Sequence, residues 1–471
     1  MRALGILAVL VLAANGLRAE DWPQFRGPNS NGLSPGRGLP TTFSHKEKVR
    51  WQATLGEGLA CPVIVGGKVV STAMTGPKTF AVFCHDAVDG RELWKRSWDA
   101  GNLPRILVQN SPASATPACD GKHLVVYLST RGLMGLDVAD GRERWRHPLP
   151  VPAYLMDWGA ANSPIIYKDL AIFCQDDDLL PYVVALETAT GRERWRTPRT
   201  EMLAGYSVPV LCTANGRTDL IIAGTGKLKG YDPATGRERW TCNTLPRTVM
   251  TTPVAHDGII YAAVQSYGDP NRILKKALLD WLDTNQDGKL ARSEVPTEFV
   301  ERLDASDKNK DGFLIGDELD TAFQHPSNMV GGGNTIQAVR AGGSGDVTKT
   351  HVLWNLPISA PSNLSSPLVS NGRLLVVKQG GLSTCVETAT GKVLWERERV
   401  RNFGEYYASP IAGDGKIYVA GRNGVVVVLA DEPKLRVLAR NDMGGEIQAT
   451  PGIADGRIYI RTRQKLFCVG E

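Results

Sequence analysis

Between residues 283 and 318 the chain writes one oxygen-bearing pattern twice. Asp283, Asn285 and Asp287 alternate, Gly288 follows, and Glu294 closes the run; Asp307, Asn309, Asp311, Gly312 and Glu318 repeat it. Side-chain oxygens at positions one, three, five and twelve of a twelve-residue stretch suit a hard divalent cation, which wants roughly six to eight oxygens. A glycine at position six turns the backbone sharply. Position seven lends only its carbonyl, so Lys289 and Phe313 both serve there. Position nine is Ala291 or Ile315, which leaves that corner to a water. The expected cofactor is therefore calcium, as two ions.

The pattern is that of the EF-hand loop. Its flanks agree. Ile273, Leu274, Ala277, Leu278, Trp281 and Leu282 form a helical apolar stripe entering the first loop; Phe299, Val300 and Leu303 do so before the second. Leu290 and Leu314 fall at position eight, where paired loops touch as a short β-bridge. The loops start only 24 residues apart, so one helix, about Pro296 to Ala305, is expected to serve both. A small α-helical EF-hand pair is thus expected over residues 270–330. An exported protein meets no cytosolic calcium pulse, so the metal is read as a staple rather than a switch.

What carries this insertion is a repeat. The phrase small–x–acid–x–x–Thr/Asp–Gly–Arg/Lys–x–x–Trp occurs five times, from Cys84 to Trp94, Gly135 to Trp145, Ala185 to Trp195, Gly230 to Trp240 and Cys385 to Trp395. A second marker counts units independently: a small or polar residue before a proline opens an apolar run at Pro62, Pro117, Pro164, Pro209, Pro253, Pro367, Pro410 and Pro451. Successive prolines lie 55, 47, 45, 44, 114, 43 and 41 residues apart. A period in the forties with several short strands per unit predicts propeller blades. The long gap is one blade plus the insertion. The expected fold is therefore all-β, an eight-bladed propeller with the insertion projecting from blade five.

Each unit reads as four strands, with the Thr-Gly-Arg turn between the third and the fourth. Acid and Thr or Asp side chains accept hydrogen bonds from turn amides, and glycine supplies the positive φ. The broad indole is expected to cover the neighbouring blade. The eighth unit stops before a fourth strand, whereas Lys48 to Leu55 carries an orphan Trp51. That segment is expected to supply the missing outer strand and close the ring. The propeller then runs over 20–269 and 331–471. Ala338 to Trp354 is a degenerate copy of the phrase, and blade seven has Leu438 where Trp would stand.

The phrase resembles the tryptophan-docking repeat of the quinoprotein-like propellers, the PQQ-binding-like repeat family. The segment Asp21-Trp22-Pro23-Gln24-Phe25-Arg26-Gly27 resembles the start of many secreted members. That family includes PQQ-dependent alcohol dehydrogenases and a lipoprotein of outer-membrane protein assembly. The resemblance specifies fold far better than function. In the dehydrogenases it implies a quinone on the axis beside a calcium and a general-base aspartate. The adjacent cysteine pair frequent in the alcohol-oxidising members is missing here, and so are most of their long capping loops. The calcium pattern sits in a peripheral insertion, and no specific residues support PQQ. Asn110, Tyr154, Asp157, Trp158, Asn162, Glu405, Tyr406 and Tyr407 precede inner strands and are the candidates to face the channel; structural roles suffice for them. The reading is a non-catalytic, calcium-binding scaffold that docks a protein or glycan on its wide faces. The alternative is a PQQ-dependent oxidoreductase acting on alcohols or sugars.

Composition agrees with export. Residues 1–19 read as a signal peptide: Met1-Arg2, an apolar stretch from Ala3 to Ala14, and a cut after Ala19. The stretch is too short to span a bilayer, and no cysteine near the cut offers a lipid anchor. A periplasmic or extracellular monomer without a membrane span is expected. The formal charge of +5 falls to +3 without Arg2 and Arg18, too little to argue for nucleic acid. Of eight cysteines, Cys84, Cys385 and Cys468 occupy the small column of the repeat, so they read as core residues rather than a dense disulfide framework.

Overall fold

A computed structural model describes residues 20–154, 157–266, 278–279, 282–297, 300–322, 332–357 and 364–471. The expected signal peptide lies outside these residues, as do Ile273, Leu274, Ala277, Trp281 and Phe299 of the apolar stripes. Eight antiparallel sheets of four main strands follow one another around an axis, each inner strand beside the next. Blade one shows the order: Val63–Val65 innermost, then Lys68–Gly76, Thr79–Asp86 and Glu92–Asp99.

The repeated phrase has a direct structural meaning. Its small residue stands opposite the tryptophan across the third and fourth strands: Cys84 faces Trp94, Gly135 faces Trp145, Ala185 faces Trp195, Gly230 faces Trp240 and Cys385 faces Trp395. A larger side chain has no room there; a Cβ on Gly135 would stand 2.1 Å from the indole of Trp145. A register shift after each pair bends the strand. The indole then lies over the turn glycine of the next blade and donates its N–H to a carbonyl there. Trp94 reaches Val138 at 3.1 Å, Trp145 reaches Thr188 at 2.8 Å, Trp195 reaches Pro233 at 3.2 Å and Trp354 reaches Thr388 at 2.9 Å.

Two indoles depart from this expectation. Trp240 donates to Asp219 Oδ2 of its own blade at 2.9 Å, and Trp395 to Ser383 Oγ at 3.1 Å. The reason is the worn neighbour. Blade five replaces the regular turn with residues 342–346, and Gly345–Asp346 pairs in parallel with the outer strand of blade four. Blade seven has Asp431 to Lys434 and no glycine in its turn.

The ring closes as expected. Val49–Thr54 is the outer strand of blade eight, paired antiparallel to Lys465–Val469, with Trp51 opposite Cys468. All eight cysteines are buried and free. The preceding segment, from Asp21 to Glu47, is a strap across the far end of the channel. Trp22 bridges Ile64 of blade one, the Pro23 carbonyl accepts from Cys119 N of blade two, and Gln24 Oε1 from Ile166 N of blade three. It then crosses the axis to Pro367 of blade six and Ala412 of blade seven.

In blade five Ile259–Ser266 pairs with Gly333–Arg340, so residues 267–332 leave and re-enter between the second and third strands. The described part of this insertion holds helices Val300–Ser306 and Asp317–Thr321 and a bridge of Leu290 to Leu314. Its described part is anchored on the propeller. Leu278, Leu282, Leu290, Val295, Leu303, Leu314 and Leu319 pack around Leu179, which belongs to the blade-three loop between Leu170–Gln175 and Tyr182–Glu187. An insertion with its own apolar face must cover that face, and the propeller loop provides the partner.

Candidate functional site

One concavity is axial. A cavity of about 480 Å³ opens on the face that carries the insertion. Phe25 of the strap lines its floor; Trp158, Tyr206, Tyr407, Leu59, Leu107 and Met250 line its walls. Among the described residues, its lining contains no Asp, Glu, His, Lys or Arg.

Its waist is a belt of hydroxyls contributed by the residue before each marker proline. Thr116 Oγ1 accepts from Cys61 N at 3.1 Å, Ser163 Oγ from Thr116 N at 2.9 Å, and Thr252 Oγ1 from Val208 N at 3.1 Å. Ser366 Oγ then accepts from Thr252 N, Ser409 Oγ from Ser366 N and Thr450 Oγ1 from Ser409 N, at 2.9, 3.1 and 2.9 Å. Proline removes its own N–H from the ladder, and in six of the blades the amide before it is satisfied on the neighbouring blade's hydroxyl. Val208 interrupts the belt, and Cys61 puts a thiol in it. Burial pushes the Cys61 thiol up, against hydrogen bonds from Thr116 and Thr450.

The expected axis residues divide. Asn110, Trp158 and Tyr407 line the cavity. Asn110 Nδ2 donates to Trp158 O at 2.6 Å and its Oδ1 accepts from Ser114 Oγ at 2.5 Å, so the amide is committed to the loop. Tyr154 and Asn162 lie behind the wall, joined at 2.7 Å, with Tyr154 stacked on Tyr206 at 4.6 Å. Asp157 pairs with Arg105 at 3.1 Å, Glu405 pairs with Arg422, and Tyr406 is buried on Asn402 O. The acid–aromatic pair Asp157-Trp158 is therefore split by its own backbone.

A quinoprotein site needs carboxylates on the axis to hold a metal and to take a proton from the substrate. None stands in this lining among the described residues, so the residues present do not fit that chemistry.

The two oxygen-rich loops of the insertion have matching backbone geometry. In the first, Gly288 N donates to Asp283 Oδ2 and Asp287 N to Asn285 Oδ1, both at 2.9 Å; Thr284 N reaches Glu294 Oε1 at 3.0 Å. In the second, Gly312 N donates to Asp307 Oδ2 and Asp311 N to Asn309 Oδ1 at 2.9 Å; Lys308 N reaches Glu318 Oε1 at 2.8 Å. Gly288 and Gly312 have φ of 76° and 86°, the turn that position six requires. The side chains of Lys289 and Phe313 point at one another, 5.7 Å from ammonium to ring centroid, leaving their carbonyls to the loops. The Ala291 amide, first among several donors, holds Glu294 below the usual carboxylate range. Among the described residues no three His, Cys, Asp or Glu side chains gather tightly enough to grip an ion by themselves. The side-chain oxygens each loop offers are those of two Asp, one Asn and one Glu. In the second loop Asp307 Oδ1 is buried with no hydrogen-bond partner among the described residues. An ionised oxygen in that position is costly unless a cation meets it, so this residue set fits calcium.

Sequence reasoning missed the buried charge beneath the insertion. Asp176, Asp177 and Asp178 follow one another at the top of blade three, all buried. Asp176 forms a two-point pair with Arg199, Oδ1 to Nε at 2.7 Å and Oδ2 to Nη2 at 2.8 Å. Asp177 accepts from Leu179 N and Ala153 N at 3.1 and 3.2 Å, and burial raises it to about 6. Asp177 and Asp178 both act on Arg302 of the insertion helix and on Tyr206 of the cavity wall. Three acids running into Leu-Leu-Pro were the available signal: a turn that points inward beside apolar residues.

Comparison with known proteins agrees with the ring. A profile of the family described as outer membrane protein assembly factor BamB matches residues 43–159, 78–271 and 385–469. No curated protein matches the chain by sequence. Among solved structures, BamB from Moraxella catarrhalis is similar with a TM-score of 0.53 and 14% identity, over 89% of this chain and 98% of that one. The quinohemoprotein alcohol dehydrogenase of Comamonas testosteroni has a TM-score of 0.59 and 12% identity, over 97% of this chain and 81% of that one. The computationally designed Ika8 protein has a TM-score of 0.54 and 10% identity, over 92% and 100%. At such identities these likenesses establish the fold alone. With the profile matching more than half of its residues, the chain belongs to the BamB-type family of outer membrane protein assembly factors.

Proposed function

We propose that this chain is an exported, non-catalytic scaffold of the cell envelope that binds two calcium ions in its insertion and docks a protein or glycan partner on the propeller face. The observation that supports the non-catalytic part is the make-up of the axial cavity, whose described lining holds no Asp, Glu, His, Lys or Arg and whose one thiol, Cys61, is pushed up by burial. The family description names outer membrane protein assembly, which supports a binding role in the envelope. Among the described residues no helix is long and apolar enough to cross a membrane.

Calcium is supported by the paired loops and by the unpartnered Asp307 Oδ1. Asp283, Asn285, Asp287, the Lys289 carbonyl and Glu294 would hold one ion. Asp307, Asn309, Asp311, the Phe313 carbonyl and Glu318 would hold the other. The ions would neutralise acids that otherwise repel, and so keep the insertion packed on Leu179. Calorimetric titration with calcium tests this: two equivalents should bind, and Glu294→Gln with Glu318→Gln should abolish uptake while the propeller still melts cooperatively. Uptake that survives both changes would reject the assignment. Dye-linked oxidation of alcohols or sugars after adding PQQ and calcium would reject the non-catalytic reading.

A further inference from the structure

The axial cavity has a second chemistry that the scaffold reading leaves unexplained. Arg26 and Arg461 are both fully buried, and neither has a carboxylate within ion-pair distance among the described residues. Arg26 Nη2 donates to Pro367 O, the carbonyl beside Ser366 of the belt, but its Nε and Nη1 have no partner among the described residues. Arg461 Nη1 donates to Thr72 O, but its Nε and Nη2 have no partner among the described residues; Nη2 rests against the Gly58 backbone, next to the lining residue Leu59. Both guanidiniums act electrostatically on Cys61, which lies in the belt. Glu57 acts weakly on Arg461, yet its carboxylate is bridged to Arg463 at 3.0 Å. Burial draws Arg26 down to about 9 and Arg461 to about 10, so both stay charged at neutral pH.

Buried cations without counter-ions are strongly unfavourable, and they set up a positive potential in any cavity they flank. The belt adds polarity of the same sense. Ser163, Thr252, Ser366 and Ser409 are each at least nine-tenths buried and line the cavity. Each oxygen already accepts a main-chain amide, and its hydroxyl proton has no acceptor among the described residues. Above the belt the walls are aromatic and aliphatic.

From this arrangement we infer that the axial cavity is a receptor for a small organic carboxylate: the anionic head sits at the hydroxyl belt beside Arg26 and Arg461, and an apolar or aromatic body stacks between Trp158, Tyr206 and Tyr407. The strap supplies the floor and one cation, so the site exists only in the closed ring. The inference does not depend on calcium, and it holds whether or not the insertion takes up metal.

The test is calorimetric titration of the full chain with 1-naphthoate and with its uncharged analogue 1-naphthamide. The carboxylate should bind roughly ten- to a hundredfold more tightly, as the positive potential of two buried guanidiniums and the hydroxyl donors of the belt require. In Arg26→Gln the naphthoate affinity should fall about tenfold and the naphthamide affinity should stay level. Should that variant fail to fold, Ser366→Ala with Ser409→Ala removes two belt donors and should lower the same ratio. Equal affinity for acid and amide, or no binding of naphthoate at millimolar concentration, overturns the inference. So does a ratio that is unchanged in a folded variant.

Discussion

The indole of Trp51 lies flat on Gly90: a Cβ on that glycine would stand 2.5 Å from Cδ2, and Nε1 donates to Ala87 O at 3.1 Å. One residue from the strand that precedes the first blade thereby holds the last blade to the first. The clasp has the same geometry as Trp94 on Gly141 or Trp145 on Gly191, but it joins the two ends of the chain.

Trp51→Ala should therefore lower stability by about 3–5 kcal/mol, the usual cost of emptying a buried aromatic site. Gly90→Ala should cost at least about 1–2 kcal/mol from the positive φ alone, and more from the collision. Blade seven places Ala439, not Leu438 as the repeat spacing predicts, opposite Val428 where other blades carry an indole, because its turn is one residue longer; Leu438→Ala, at the half-buried neighbour, is the control and should cost less. Chemical denaturation of the three variants decides; equal losses at Trp51 and Leu438 would refute the clasp.

Leu179 is the propeller's contribution to the core of the insertion. Leu179→Ala should weaken docking by about 2–5 kcal/mol. Protease cleavage within residues 267–332 should accelerate, and the melting of the propeller should change little. If cleavage is no faster, the insertion is held by something other than this packing.

Asp176 and Arg199 are both buried and bonded at two points. Breaking such a pair leaves a lone charge, so Asp176→Asn should cost about 3–5 kcal/mol. Replacing both at once, as Asp176→Leu with Arg199→Met, should cost less than the single change, because no uncompensated charge remains. A double variant weaker than Asp176→Asn would contradict the argument.

Asp177 gives a pH dependence with a definite sign. Burial raises its folded value from 3.8 to about 6, so the folded state favours the protonated acid. The associated stability is fully present below pH 3.8 and is lost as pH rises through about 6. Its size is on the order of 3 kcal/mol for a shift of this kind. Arg302, Asp178, Tyr154 and Tyr206 face the same group and keep their identities in the comparison. The unfolding free energy of the native chain minus that of Asp177→Asn should decline across this window. A flat difference would show that Asp177 titrates normally.

Much of the architecture was legible in the chain. The small residue opposite the repeat Trp, the turn glycine under most of these indoles and the proline after each belt residue are local choices repeated at a fixed period, so the sequence counts the blades unaided. The worn turns of blades five and seven were legible as departures, though not the consequence, which is that Trp240 and Trp395 turn back into their own sheets. The ligand pattern of the insertion was equally plain, since its twelve positions are set by local backbone geometry.

What the sequence could not disclose depends on residues far apart in the chain. Arg26 and Arg461 look like solvent-facing charge until the ring closes around them, and Asp176 to Asp178 look like a surface run until the insertion covers them. The sequence by itself determined an eight-fold ring and a paired oxygen-rich loop, because both rest on short-range periodicity. Only the tertiary structure decided which charges lost their water, because burial is a property of the closed ring and of the insertion folded over it.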